Sequence, residues 1–353
     1  MDKLVTIGIP TYNRLHYLKE AVESALAQTY PNVEIIISQN PYKDESITQS
    51  ISTWCQALAR QNPKVRYQLN PRNLGSPANF NAIADAARGE YLAFIGDDDR
   101  LLPNCVEKLL KAMQPDTNLA FSNHYFINSE GKRMEKESNE CTQKYGRDRL
   151  SPGEIPNSKI AAWQASVSFF ACLMRTEDFQ RIRFRENIGT PDWEFFILLA
   201  QEGGRFVFIP DYLSEIRRHD QTSTVAGLHF EMLVPYILPI PVGCEVEPYK
   251  RKLLSPLMIE AVSSCLLDKN IEQAKEYIHS DYYPRKSLKG QIQYLCTMLP
   301  TDLGHGLYKL LYFARRNKTY LKSLQAREFS LFPAKSSNAN QIVSLTREYK
   351  TMK

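Results

Sequence analysis

Three consecutive carboxylates, Asp97, Asp98 and Asp99, follow the apolar run EYLAFIG at residues 90–96. Adjacent carboxylates repel one another, so they cannot be buried together without a counter-charge. Their hard oxygens suit Mg²⁺ or Mn²⁺, which take their remaining ligands from water and substrate phosphates. The alternative is a solvated turn that caps a helix beginning at Pro103.

A second candidate segment is VTIGIPTYNR at residues 5–14, where a strand ends in Pro10, Tyr12 and Asn13. The ring of Tyr12 could pack on a base or a ribose above the end of the sheet. The alternative is an ordinary turn in which Asn13 caps the following helix.

Strands that alternate with helices must position these residues. Short β-branched runs alternate with stretches of apolar residues at helical spacing through the first 100 residues. This order predicts right-handed βαβ units and a parallel sheet, whose carboxyl edge is where open α/β folds bind ligands. The strands are LVTIGIP, VEIIIS, VRYQLN and EYLAFIG.

Beyond residue 99 the pattern changes. Pro103 is expected to begin a helix to about residue 113, and the polar stretch 136–160 is expected to be a long loop or short helices. The remaining strands are LAFSNHYFIN, SVSFFACLMR, RFVFIP and YLSEIRRH, with a helix capped by Thr190 before RFVFIP. We expect a first domain at 1–225 and a helical region at 226–353, with helices near 227–237, 249–267, 270–278, 286–298 and 304–325.

Composition limits the classes of function. Of 353 residues, 43% are hydrophobic and 24% charged, which excludes global disorder. A net charge of +5 fits a phosphate-bearing ligand or an anionic membrane surface and does not indicate a nucleic-acid partner. Seven cysteines without a CxxC pair argue against a zinc site or disulfide framework. We identify neither a signal peptide nor a transmembrane run, so we expect a cytoplasmic protein, either free or peripheral on the cytoplasmic face of a membrane.

The order and spacing of VTIGIPTYNR, EIIISQN and NLGSPANFNAIADAARGEYLAFIGDDDRLLP resemble glycosyltransferase family 2 over about residues 3–225. The resemblance implies the GT-A fold, a Rossmann-like αβα sandwich that binds a nucleotide-diphosphate sugar. It also implies a divalent metal and an inverting displacement. The nucleotide-sugar site would comprise Pro10, Thr11, Tyr12, Asn13, Gln39, Asn40, Asn73 and Asn79. Gln39 stands where many relatives have an Asp that meets the base, and Asn73 could equally be a structural turn residue.

The aspartates depart from the family pattern Asp-x-Asp-Asp, because Gly96 replaces its first Asp. Counting back from the following proline, Asp98 is expected to be the prime metal ligand. Asp97 would contact ribose or a metal-bound water, and Asp99 would bind metal through water or face the acceptor.

TPDWEFF at 190–196 resembles the acceptor-side motif of the family, with Pro191 in place of a Glu. The resemblance makes Asp192 the base that takes a proton from the acceptor hydroxyl. Its alternative role is a favourable interaction with the helix dipole. EIRRHDQTST at 215–224 resembles the closing motif, in which Arg217 or Arg218 would pair with the diphosphate. His219 would be a metal or phosphate ligand, or a structural histidine.

Nine Lys or Arg residues against three acids, together with aromatic residues, lie between residues 281 and 330. This stretch is either an amphipathic helix on anionic lipid or a helical appendage with a basic solvated face. We expect an inverting glycosyltransferase whose donor is most readily a UDP-sugar. Its product would be a cell-envelope polysaccharide, a glycolipid or a glycoprotein glycan, and its acceptor would be a glycan or a lipid-linked molecule. A catalytically degenerate nucleotide-sugar-binding module, or a membrane-surface scaffold, is the alternative.

Overall fold

The computed structural model describes residues 3–219 and 229–314. Its first half alternates strands with helices, as predicted. The apolar side of each helix faces the sheet; in the first helix Leu18, Ala21, Val22 and Ala25 are buried. The elements are β1 (Val5–Thr11), α1 (Leu15–Leu26), β2 (Val33–Gln39), α2 (Glu45–Gln61), β3 (Val65–Leu69), α3 (Ser76–Ala86) and β4 (Tyr91–Phe94).

The second half carries more short elements. They are β5 (Arg100–Leu101), α4 (Cys105–Ala112), β6 (Leu119–Ile127), α5 (Glu135–Lys144), β7 (Gly153–Glu154), α6 (Ser158–Trp163), β8 (Cys172–Arg175), α7 (Thr176–Ile182), α8 (Pro191–Gln201) and β9 (Phe206–Arg217). The stretch 136–160 thus contains short helices.

Two expected strand boundaries were wrong. The run SVSFFACLMR contributes only β8, because Phe169–Ala171 forms a 3-10 turn before it. The two runs RFVFIP and YLSEIRRH form one strand, β9, which continues through Pro210. Register shifts in its pairing with β6, around Asn123, absorb the irregularity at that proline.

One mixed sheet joins all nine strands in the order β3-β2-β1-β4-β8-β6-β9-β5, with β7 also paired to β9. The pairs β3-β2, β2-β1 and β1-β4 are parallel, so the carboxyl ends of these four strands lie at one edge. Thr11 at the end of β1 stands opposite Gln39 at the end of β2. The loops that follow β1, β2 and β4 are therefore neighbours.

Two hydrophobic clusters cover the faces of the sheet. One lies under α1, α2 and α4 and includes Leu18, Ile37 and Leu109. The other includes Phe94, Trp163 and residues of the C-terminal helices such as Leu254. The C-terminal helices thus share a core with one face of the sheet, and α10 packs on α6.

The C-terminal region is helical in the part described, as expected. Its helices are α9 (Val234–Ile237), α10 (Glu247–Leu267), α11 (Ile271–His279) and α12 (Leu288–Met298), and residues 301–314 are also helical. The expected boundary at residue 225, and the expected tail beyond residue 314, lie outside the described residues. Within 3–219 and 229–314, no helix combines the length and hydropathy needed to cross a bilayer.

Candidate active site

A cleft of about 650 Å³ opens at the carboxyl edge of β1, β2 and β4. It brings together most of the residues that the sequence predicts for the site. They are Pro10, Thr11, Tyr12, Asn13, Asn40, Asn73, Asn79, Asp97, Asp98, Asp99 and Arg217. Side chains that converge from three separate loops onto one cavity are typical of a ligand-binding site.

The aspartates lie in a turn closed by a hydrogen bond from the Asp99 N–H to the Gly96 carbonyl oxygen, 3.2 Å. Asp97 and Asp99 are almost fully buried. Burial raises the pKa of both carboxyl groups, and the charge of Asp98 raises it further. For Asp97, the Arg14 guanidinium and the Thr11 hydroxyl act in the opposite direction. These carboxylates are therefore buried with partial compensation from cationic and polar neighbours, which excludes the solvated turn.

The counter-charge for this cluster is Arg14, which the sequence analysis did not single out. Its Nη1 donates to Oδ2 of Asp98 at 2.6 Å, and its Nη2 donates to Oδ1 of Asp97. The Thr11 hydroxyl donates to the other oxygen of Asp97 at 2.8 Å. Three adjacent carboxylates need a cationic neighbour, and Arg14 is the last residue of the TYNR motif. The sequence could therefore have identified Arg14 as that neighbour.

Gly96 has no side chain and so leaves space for the carboxylates of the aspartate turn. A Cβ atom at this position would lie 2.6 Å from Oδ2 of Asp99 and 2.9 Å from Oδ1 of Asp98. Both distances are below van der Waals contact. A side chain at position 96, such as the first aspartate of the family pattern, would therefore clash with these two carboxylates as they fold back over the turn.

His219 reaches the same cluster from the end of β9. Its Nε2 lies 3.0 Å from Oδ2 of Asp98, the oxygen that also accepts from Arg14. The distance is that of a hydrogen bond between the imidazole and the carboxylate, and both groups are of types that can bind Mg²⁺ or Mn²⁺. Within the described ranges, no group of three or more His, Cys, Asp or Glu side chains could hold a metal. The protein thus offers part of a coordination sphere, which water and phosphate oxygens could complete.

Asparagine amides form the wall of the cleft between β2 and α3. Asn70 donates to Oδ1 of both Asn40 and Asn79 at 2.9 Å, and Asn79 donates to the Ser38 carbonyl oxygen at 3.0 Å. Asn40 also accepts from the N–H of Leu74 at 3.3 Å. The network ties the loop before α3 to the strand ends, so that this wall is held in one shape.

Asn73 lies at the outer end of the same wall. Its side chain accepts from the N–H of Gly75 at 2.9 Å, and Gly75 has φ +82°, in the left-handed region that glycine favours. Asn73 therefore makes a structural turn and lines the cleft as well. The structural role in the turn is thus present, and the contact with a nucleotide stays a prediction.

Two tyrosines stand at the mouth of the cleft. The rings of Tyr12 and Tyr42 meet edge to face with centroids 4.9 Å apart, and both line the cavity. Tyr42 was missed in the sequence, although an aromatic residue three positions after the end of β2 is placed to reach this edge. The pair offers an aromatic surface to a planar group.

Gln39 does not line the cleft. Its side chain is fully buried under α2, where its amide donates to the Thr48 carbonyl oxygen at 3.0 Å. Its carbonyl oxygen accepts from the hydroxyls of Tyr67 and Ser52 at 2.6 and 3.1 Å. The structure thus places Gln39 in the core and not at the expected contact with a base. The alternation of side chains along β2 turns this position inward.

Arg217 is also committed to the protein. Its Nη2 donates to Glu20 at 2.5 Å, its Nε donates to the Asp98 carbonyl oxygen at 2.7 Å, and its backbone N–H donates to Oδ1 of Asp99 at 2.8 Å. The side chain is buried and its guanidinium lies over the ring of Tyr17. This placement differs from an expected pairing with diphosphate and instead clamps the aspartate turn onto β9.

Asp192 lies at the start of α8, and its pKa is raised to about 6. Burial is the cause, opposed by hydrogen bonds from the backbone N–H groups of Asp192 and Trp193. The carboxylate is close enough to Cys172 to contribute to the raised pKa of that buried thiol. Asp192 is not among the residues that line the cleft, so the structure does not bring it to the cavity that holds most of the other predicted site residues.

The preceding residue, Thr190, was expected to cap α8. It occupies the N-cap position, yet its side chain makes no capping hydrogen bond, and its buried Oγ1 has no partner among the described residues. The N–H groups at the start of α8 therefore serve the Asp192 carboxylate. Trp193 packs against Phe230 with ring centroids 5.0 Å apart.

Comparison with known proteins identifies the family. The model of glycosyl transferase family 2 matches residues 6–183, about half of the chain. Glycosyltransferase GlyG of Streptococcus pneumoniae is 30% identical over 231 residues, which are 62% of this chain and 72% of that protein. Chondroitin synthase of Pasteurella multocida is 28% identical over 192 residues, 53% of this chain and 19% of that longer protein.

Among solved structures, S. aureus TarS 1–349 in complex with UDP-GlcNAc superposes with a TM-score of 0.59. The sequences are 14% identical, and the match covers 88% of this chain and 92% of that one. This is a likeness of fold, and it agrees with the mixed sheet and the C-terminal helices described above. The chain belongs to glycosyltransferase family 2, and its fold is GT-A.

Proposed function

We propose that this glycosyltransferase moves a sugar from a nucleotide-diphosphate donor, foremost a UDP-sugar, to an acceptor hydroxyl with inversion. The observation that carries the proposal is the single cleft that joins the aspartate cluster to an asparagine wall and an aromatic pair. Tyr12 and Tyr42 offer a surface to the base, and the aspartates lie where the diphosphate would be held. The likeness to a TarS complex that contains UDP-GlcNAc supports a uridine nucleotide.

A divalent cation, Mn²⁺ or Mg²⁺, would be held by Asp98 and His219, with Asp99 acting through water. When bound, such an ion neutralises charge that develops on a leaving diphosphate. The 3.0 Å spacing of the Asp98 oxygen and the His219 nitrogen supports this assignment. Asp97, held by Thr11 and Arg14, would face the ribose.

Asp192 is proposed as the base. Its carboxylate would take the proton of the acceptor hydroxyl as that oxygen bonds to C1 of the sugar and the bond from C1 to the diphosphate oxygen breaks. A pKa of about 6 leaves the carboxylate ionised at neutral pH while it remains basic enough to accept a proton. Attack from the face opposite the diphosphate inverts the configuration at C1.

The acceptor is proposed to be a hydroxyl of a glycan or lipid-linked glycan in the synthesis of a cell-envelope polysaccharide, glycolipid or glycoprotein. The relationship to a chondroitin synthase supports a polysaccharide. We place the protein in the cytoplasm, where nucleotide sugars are available.

We further propose that the C-terminal helices contact an anionic membrane. Large apolar side chains stand exposed on α12 and on the helix at 301–314: Leu288, Leu295, Met298, Leu303, Leu310 and Phe313. Exposed lysines flank this apolar surface at 286 and 309. Apolar contact combined with basic flanks is the pattern of a helix that lies on anionic lipid.

Vesicle flotation tests the membrane contact. The chain should float with vesicles that contain phosphatidylglycerol and remain behind with pure phosphatidylcholine. Replacing Leu295 and Met298 by Ser should abolish flotation, whereas Leu69→Ser, at an exposed leucine on β3, should not. Wild-type protein that forms a dimer in light scattering and does not float would contradict the proposal.

Transfer itself is tested in two stages. A panel of sugar nucleotides with Mn²⁺ should contain a donor that raises the melting temperature, because a ligand of the folded state stabilises it by mass action. Hydrolysis of that donor is then compared between the wild type and Asp192→Asn, with and without Mn²⁺. Equal, metal-independent rates in both proteins would favour the alternative, a degenerate module that binds the donor without transferring its sugar.

A further inference from the structure

The guanidinium of Arg14 occupies the position of a cation between two aspartates. Nη1 donates to Oδ2 of Asp98 at 2.6 Å, and Nη2 donates to Oδ1 of Asp97. The same Nη1 lies 3.3 Å from Nε2 of His219. The Arg14 side chain is 20% exposed, and the Asp97 and Asp98 side chains are 2% and 12% exposed, so the three charges interact with little screening by water.

One oxygen, Oδ2 of Asp98, thus accepts a hydrogen bond from Arg14 and lies within hydrogen-bond distance of His219 Nε2. It is also the oxygen best placed to bind a metal beside the imidazole. A guanidinium at 2.6 Å and a divalent ion cannot both hold that oxygen without strong repulsion between the two positive groups. Metal binding at Oδ2 of Asp98 would therefore compete with Arg14.

The diphosphate of a bound donor would be a second anion within reach of Arg14. It lines the cavity together with Tyr12 and Asn13, where the nucleotide would lie. Its planar, always-charged fork suits phosphate oxygens as well as carboxylates. A diphosphate in the cleft would compete for Arg14 and free the carboxylate.

We propose that Arg14 is an exchangeable counter-charge, which competes with the divalent cation for Asp98 and is drawn to the donor's diphosphate when the nucleotide binds. The inference rests on the proposed function. Its consequence is that metal and nucleotide bind cooperatively. Linkage requires that each tighten the binding of the other by the same factor.

The test is a titration of the full chain with Mn²⁺, read by the electron paramagnetic resonance signal of the free ion. It is carried out with and without saturating UDP and corrected for the Mn²⁺ that UDP binds in solution. In the wild type, UDP should tighten Mn²⁺ binding by about tenfold or more. In Arg14→Gln, Mn²⁺ alone should bind about tenfold more tightly than to the wild type, and the enhancement by UDP should shrink.

Two further variants complete the design. Arg133→Gln removes a cation that pairs with Glu215 and should leave Mn²⁺ binding unchanged. Arg14→Lys keeps the positive charge and should bind Mn²⁺ alone nearly as weakly as the wild type. If Arg14→Gln fails to fold, the enhancement by UDP in the wild type decides the matter, since its absence overturns the proposal.

The outcomes separate this inference from the proposed function. Equal Mn²⁺ affinity in the wild type and Arg14→Gln, with an unchanged effect of UDP, would overturn the role of Arg14 and leave the metal site standing. Failure of Mn²⁺ to bind under any condition would overturn the metal assignment and this inference with it.

Discussion

The Nε2 atom of His219 lies 3.0 Å from Oδ2 of Asp98, although 121 residues separate them in the chain. If the two atoms share a metal, His219→Gln should weaken Mn²⁺ binding in the presence of UDP by at least about tenfold. His279→Gln, on an exposed histidine of α11, should have no effect. Calorimetry with Mn²⁺ measures both, and an unchanged affinity in His219→Gln would remove the histidine from the coordination sphere.

Asp192→Asn should lower the turnover rate by about 10²- to 10⁴-fold, because the amide cannot take the acceptor's proton. In the wild type, the base must be ionised to act. The rate should therefore fall as the pH drops through the Asp192 pKa of about 6. A pH–rate profile with saturating donor and acceptor checks this, and a flat profile between pH 5 and 7, values chosen about one unit either side of that pKa, would be incompatible with the assignment.

The same substitution should make the protein more stable at neutral pH. The folded-state pKa of Asp192, about 6, is above its ordinary value of 3.8, so the contribution of this group to folding is favourable at low pH. That contribution is lost as the pH rises through about 6. Since asparagine does not ionise, Asp192→Asn should unfold with a free energy on the order of 1–3 kcal/mol higher than the wild type near pH 7.5.

Denaturant unfolding at two pH values measures this difference. The advantage of Asp192→Asn should shrink near pH 5, where the wild-type carboxyl group is largely protonated. An advantage that is the same at both pH values would show that desolvation of this carboxylate does not cause it.

Gly96→Ala should disturb the aspartate turn, because the added Cβ would lie 2.6 Å from the Asp99 carboxylate. We expect a loss of about 1–3 kcal/mol in unfolding free energy together with weaker Mn²⁺ binding. Gly243→Ala is the matched control, since its Cβ would meet nothing closer than 3.5 Å. Equal stability of the two variants would indicate that the turn rearranges freely.

The order of the elements and the edge that carries the site follow from the sequence. Hydrophobic periodicity is sufficient for βαβ units, and the parallel register then brings Tyr12, Asn40 and Asp98 together. The break before β8 did not follow, because Phe169 and Phe170 are as apolar as strand residues and only packing against Phe80 turns them.

The hydrogen bonds within the site could not be predicted from hydrophobic periodicity. Gln39 and Asn40 are adjacent and chemically alike, yet alternation along β2 sends one side chain into the core and the other into the cleft. Arg217 and Arg14 are both guanidinium groups near the aspartates. Both line the cavity, but the guanidinium of Arg217 is engaged by Glu20, a residue of α1 whose pairing with Arg217 no local pattern indicates.

The proposed base lies on α8, a helix that is linked through α6 to α10 of the C-terminal region. Helix α8 packs on α6, and α6 packs on α10, within one continuous apolar cluster. A substitution in the core of the C-terminal helices that disturbs this cluster should therefore affect α8, the helix that carries Asp192. The asparagine wall is built separately, from residues that follow β2 and β3 at the other end of the sheet.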